Sequence, residues 1–120
     1  MAEFPSTLPG IDIASGLPRV AGNKKLYLKL LRHVANDIPN IKEKINSAIM
    51  EGDLAAIREH AHSLKGSSAN LSITTVAGAA EKLEVSAKAD DMTGVIVSMD
   101  GLEQALDEYA AVIASLADVE

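Results

Sequence analysis

The sequence predicts an all-α fold: an antiparallel up-down four-helix bundle with a short extra helix at the N-terminus. Three observations lead there. Apolar residues recur at alternating spacings of three and four through four long segments, the period of a helix with one buried stripe. No segment alternates with period two for long enough to form a strand. The breaks between segments are two to four residues long, so neighbours run antiparallel, and the narrow stripes favour the shallow crossing of a bundle.

Residues 1–10, MAEFPSTLPG, hold two prolines, a Ser-Thr pair and a glycine, which is linker composition. They are expected to wrap loosely or to be disordered, as the leader of a domain cut from a longer chain. Residues 11–120 then form the bundle domain. A short helix is expected within residues 11–22, with Ile13, Leu17 and Val20 on one side. Gly16, Pro18 and Gly22 keep it short. Asn23 is a suitable N-cap for the first long helix, whose stripe is Tyr27, Leu31, Val34, Ile38, Ile41, Ile45 and Ala48. Pro39 predicts a kink there, or two stacked helices sharing an axis. Gly52 ends the run and Asp53 caps the next, which carries Leu54, Ile57, Ala61, Leu64, Ser68 and Leu71. A third helix spans about Thr74 to Lys88 on Ile73, Val76, Ala80, Leu83 and Ala87. The fourth follows Asp90–Asp91 with Met92, Val95, Met99, Leu102, Leu106, Tyr109, Ile113 and Leu116. Two long helices bracket two shorter ones, which leaves a bare hairpin at one end, and the N-terminal helix is expected to cap that hairpin or the bundle's end.

Composition removes whole classes of chemistry. The chain has no Cys, which excludes disulfides, thiol catalysis, Cys-based zinc sites and iron–sulfur clusters. Seventeen acidic residues against eleven Lys plus Arg give a charge of -6, a poor balance for holding nucleic acid. No apolar run approaches the roughly 18 residues of a membrane span, and the start lacks the pattern of an export signal. Lys24–Lys25 is too small a basic cluster to hold a lipid surface. A cytoplasmic, monomeric domain is expected.

The histidines are His33, His60 and His62. On a helix, residues two apart point about 200° apart, so His60 and His62 cannot share a metal, and His33 has no partner at ligand spacing. No metal site is expected. No glycine-rich phosphate loop follows a strand, so no ATP site is expected either. The most unusual stretch is AHSLKGSSANL, residues 61–71. A mid-helix glycine costs about 1 kcal/mol relative to alanine, yet Gly66 sits there with three small residues after it. Counting about 100° per residue, the core stripe lies roughly 130° from His62, and Gly66 shares the outer face one turn further on. Helical side chains lean toward the N-terminus, so a large residue at 66 would cover the imidazole. Ala55, Arg58, Glu59, Lys65 and Ala69 complete that face. A neutral imidazole is a good nucleophile near pH 7, and the cations beside it would stabilise an attached anion. On generic grounds the plain alternative, an exposed histidine without a task, is favoured; the local chemistry by itself suggests an anion-handling histidine and no more.

HSLKGSS, beginning at His62, resembles the signature of histidine-containing phosphotransfer (HPt) domains. The likeness continues through Ala69-Asn70-Leu71 and the Ala-Ala-Glu-Lys-Leu-Glu segment at 79–84. Residues 8–31 are similar to the opening of HPt modules at the C-terminal end of bacterial hybrid sensor kinases. One departure is Ser72, where many members have glycine at the helix end. The resemblance implies a phosphorelay intermediate in two-component signal transduction. His62 would take a phosphoryl group on Nε2 from the aspartate of a response-regulator receiver domain and pass it to another receiver. Lys65 would lie near the phosphoryl oxygens and Gly66 would admit the receiver's loops. On the same face Arg58 and Ala69 are candidates for binding the partner, with a solvated surface charge the equal alternative for Arg58. Mg²⁺ would belong to the receiver, with no cofactor in this chain, and the remainder of a hybrid kinase would be a further partner. His60 is expected to pack or hydrogen-bond within the bundle, and His33 to lie at its surface or border. Glu81 and Glu84 are expected to solvate the third helix, from which either could tune the site. The competing functions are a helical adaptor that binds receivers without carrying phosphate, and a metal- or cofactor-holding bundle, which lacks ligands.

Overall fold

Every long helix but one begins where a side chain can accept an otherwise unpaired backbone N–H. In the computed structural model, which describes residues 3–119, helix α1 spans Ile13–Gly16 and α2 spans Lys24–Met50. Helices α3, α4 and α5 follow at Leu54–Asn70, Thr74–Lys88 and Met92–Ala114. Asn23, Asp53 and Asp91 cap α2, α3 and α5 through the N–H groups of Leu26, Ala56 and Gly94. Helix α4 has no side-chain cap of its own. Instead the carbonyl of Gly10 accepts from Thr75 N–H at 3.4 Å and from the Thr74 hydroxyl at 3.2 Å. Helix α1 passes directly into a 3-10 turn at Leu17–Val20 with Pro18 near its start. Helix α2 runs through Pro39 as one helix, not as two stacked ones, with the proline exposed.

The helices pack as a ring in which α2 meets α3 and α5, and α4 meets the same two. The predicted stripes are its core: Leu31, Ile45, Ile57, Val76, Leu83, Val95, Leu102 and Leu106 are fully buried. Polar links lock the long pair. Tyr109 donates its hydroxyl to the Leu31 carbonyl at 2.6 Å, and burial pushes that hydroxyl's pKa well above its usual value. Arg32 donates to the carbonyls of Leu116 and Val119, drawing the C-terminal turn onto α2.

The N-terminal segment covers the turn between α3 and α4. Asp12 N–H donates to Ser72 O at 2.8 Å, Ser72 and Ser15 share a hydroxyl contact at 3.2 Å, and Tyr27 donates to Leu71 O at 2.6 Å. This corrects the expectation of a loose leader at 1–10. Phe4 is 9% exposed, with its ring centroid 5.9 Å from that of Tyr27. Burying one aromatic ring outweighs the flexibility that the surrounding prolines and serines suggest. Positions 1 and 2 of that leader lie outside the described residues.

Candidate functional site

Helix α3 turns Ile57, Ala61, Leu64 and Ser68 inward, and that orientation leaves His62 on the outer face. Its side chain is 69% exposed, yet it is not loose. Nδ1 lies 2.6 Å from Oε2 of Glu84, which reaches across from α4 with only 3% of its side chain exposed. The other carboxylate oxygen, Oε1, accepts from Lys65 Nζ at 2.7 Å. Lys88, one turn beyond Glu84, holds its ammonium 3.8 Å from Oε2. The Glu84 carboxyl is lowered to about 2, first by the hydrogen bond from Lys65, then by that from His62, against the opposing effect of burial. The same bond raises Lys65.

These contacts assign the imidazole. An ionised carboxylate can only accept, so Nδ1 must carry the proton. In the neutral ring Nε2 then holds the lone pair, and no described residue bonds to it. The arrangement therefore offers an oriented nucleophile on an open face, backed by a buried negative charge.

The other predicted positions fall as follows. Arg58, Gly66 and Ala69 are exposed on the His62 side of α3. A Cβ added at Gly66 would meet nothing within 4 Å, so packing within this chain does not require glycine there. The same holds for Gly78 and Gly101; nearness to His62 is what distinguishes Gly66. The Ala69 carbonyl accepts from Arg19 at 3.2 Å, which brings the N-terminal 3-10 turn to the end of the same helix. His60 is half-buried in a crevice between α2 and α3, with Asn40 and Lys44, away from His62. His33 is exposed on α2. Among the described residues no group of three or more His, Asp or Glu is placed to hold a metal.

One expectation changes. Glu84 does not solvate α4; it is buried at the centre of the polar cluster, whereas Glu81 is exposed. The ammonium of Lys65 rests on Glu84 in this structure. A signal for Glu84 was present in the sequence: it lies four residues after Ala80 and three before Ala87, a charge inside an apolar stripe. Lys88 carried no such signal.

An all-α bundle presenting one carboxylate-held, exposed histidine on a helix face is a scaffold for histidine chemistry delivered to a partner. The chain belongs to the Hpt domain family, whose model matches residues 29–112. A phosphotransfer role in two-component signalling goes with that membership. Comparison with curated proteins gives no significant match. Among solved structures, it is similar to histidine-containing phosphotransfer protein B (HptB) from Pseudomonas aeruginosa PAO1. That likeness has a TM-score of 0.80 at 23% identity, over 91% of this chain and 95% of the other. It is also similar to the HPT domain from the Hpt sensor hybrid histidine kinase from Shewanella, with a TM-score of 0.68 at 20% identity. There the match spans 90% of this chain and 97% of that one. At these identities the likenesses concern the fold. No helix among the described residues is long and apolar enough to cross a membrane.

Proposed function

We propose that His62 is the phosphoryl carrier, taking the group from a receiver-domain aspartyl phosphate and passing it to a second receiver. The observation that carries this is the fixed ring: Nδ1 bonded to a buried, ionised Glu84, on a side chain that is 69% exposed and whose Nε2 bonds to no described residue. The Nε2 lone pair attacks phosphorus, the Nε2–P bond forms, and the P–O bond to the aspartate breaks, releasing its carboxylate. Nδ1 keeps its proton, so the ring becomes cationic and Glu84 balances that charge. No base is needed to remove a proton. Return of the phosphoryl group to an aspartate is the same step reversed. Positioning and charge stabilisation supply most of such catalysis, and a receiver's Mg²⁺ would serve the phosphoryl oxygens. Gly66 and Ala69 leave room for the partner's loops, and Arg58 offers it a cation. A cytoplasmic, monomeric module working beside the rest of a hybrid kinase fits this reading.

The test follows labelled phosphate from a phosphorylated receiver with Mg²⁺ onto this chain. Wild type and His60→Gln are expected to label, His62→Gln is not, and Mg-ATP alone is expected to give nothing. Labelled His62→Gln would overturn the assignment. A wild-type protein that binds receivers and stays unlabelled would instead be a receiver-binding adaptor.

A further inference from the structure

Beside His62, between α3 and α4, lies a hollow lined by Ala55, Arg58, Glu59, His62, Glu84 and Lys88. Helical side chains lean toward the helix N-terminus, so the imidazole tips over the turn that carries Arg58 and Glu59. Helix α4 runs antiparallel to α3, and Lys88, one turn past Glu84, reaches the same end. Lys65 lies on the opposite side of Glu84, three residues beyond His62. The two lysines therefore bracket the buried carboxylate along the helix axis.

Their commitments differ. Lys65 is 2.7 Å from Oε1 and is the chief partner of a carboxylate only 3% exposed. Drawing it away would leave a buried charge short of its main compensation, a strongly unfavourable change. Lys88 stands 3.8 Å from Oε2, beyond hydrogen-bond reach, with half its side chain in water. It can turn toward His62 without breaking a hydrogen bond. Arg58 is exposed and makes no ion pair among the described residues.

We infer that Lys88, with Arg58 beside it in this hollow, is the cation that meets a phosphoryl group on Nε2 of His62. Lys65 is then a positioning residue that acts through Glu84. This rests on the proposed role of His62. A phosphoryl group near neutral pH carries up to about two negative charges, and two cations within one hollow can match it. Glu59 faces the same hollow with the opposing sign; it is exposed and can extend into water, or pair with Arg58.

The experiment uses phosphoramidate, so that no receiver is needed: the Nε2–P bond forms, the donor's P–N bond breaks and ammonia leaves. Wild type, Lys88→Gln, Lys88→Arg, Lys65→Gln and Lys82→Gln are compared by labelling rate and by ³¹P NMR titration of the phosphohistidine. Lys82 is an exposed lysine of the same helix, so its variant makes the same change in net charge. Lys88→Gln is expected to slow labelling about threefold or more and to raise the phosphoryl titration midpoint by about half a unit, since a lost cation favours protonation. Lys88→Arg should restore both, and Lys82→Gln should change neither. Lys65→Gln should slow labelling while leaving the midpoint in place. If Lys88→Gln matches wild type in both readouts, or if only Lys65→Gln moves the midpoint, the inference fails with His62 still the carrier. If wild type takes no phosphoryl group from phosphoramidate or from a receiver, the reading of His62 itself fails.

Discussion

Glu84 concentrates the chemistry of the site in one side chain, because it orients His62, neutralises Lys65 and faces Lys88. Glu84→Gln retains a carbonyl that can accept from Nδ1, so the ring should keep its orientation. It removes the negative charge that balances a phosphorylated imidazole. Phosphoryl uptake by His62 is therefore expected to slow about tenfold, with the helical circular dichroism unchanged. The pH dependence has a definite sign. The bonds from Lys65 and His62 hold Glu84 at about 2 in the folded chain, below its ordinary 4.5, so its stabilising contribution is complete above the upper value. It is lost as pH falls from there through the folded value. The stability gap between wild type and Glu84→Gln should accordingly narrow steadily as the pH falls below about 4.5. A gap that does not change with acid would show that Glu84 is not held ionised. Lys65→Ala should lower the melting temperature more than Lys82→Gln does, because it strips a buried carboxylate.

Among the elements, two helical glycines behave oppositely, and the difference lies in what surrounds them. A Cβ at Gly16 would fall 2.8 Å from the Tyr27 ring and 2.9 Å from the Leu71 carbonyl. Gly16 thus leaves room for the hydroxyl bond that ties α2 to the α3–α4 turn. Gly16→Ala is expected to destabilise by about 1–3 kcal/mol, measured by denaturant unfolding. Gly66 has open space instead, so Gly66→Ala should stabilise by roughly 0.5–1 kcal/mol through helix propensity. Gly66→Leu should preserve the bundle yet slow labelling by a receiver more than labelling by phosphoramidate. Equal slowing by both donors would refute the idea that this face admits a partner. The α3–α4 turn also explains how the chain tolerates Ser72. It adopts a left-handed backbone at φ 56°, a conformation glycine takes more easily, but its carbonyl and hydroxyl are bonded to Asp12 and Ser15.

Across the whole molecule, the long pair α2 and α5 extends past the α3–α4 hairpin, and the N-terminal segment closes the exposed corner. Phe4 anchors that closure on Tyr27, close to the bonds that set the start of α4. Phe4→Ala should lower stability by about 2 kcal/mol in urea unfolding while leaving the rate of phosphoramidate labelling near wild type. An unchanged urea midpoint would mean that the segment contributes no packing in solution.

The order and phase of the helices were legible in the sequence because each depends on neighbours a few residues apart. The three–four stripes, the caps at Asn23, Asp53 and Asp91, and the outward phase of His62 and Gly66 all follow from one helix at a time. What required the folded chain were contacts between helices. Periodicity marks position 84 as part of a buried face, but it cannot say that His62 and Lys65, about twenty residues earlier, will supply the donors that let a carboxylate stay there. Composition likewise marks residues 3–10 as linker, since it counts prolines and serines and is blind to one ring finding Tyr27. Local pattern determines which way each side chain points. Only the packing of α3 against α4 determines which charges meet, and a buried charge is stable only where its partners arrive from elsewhere in the fold.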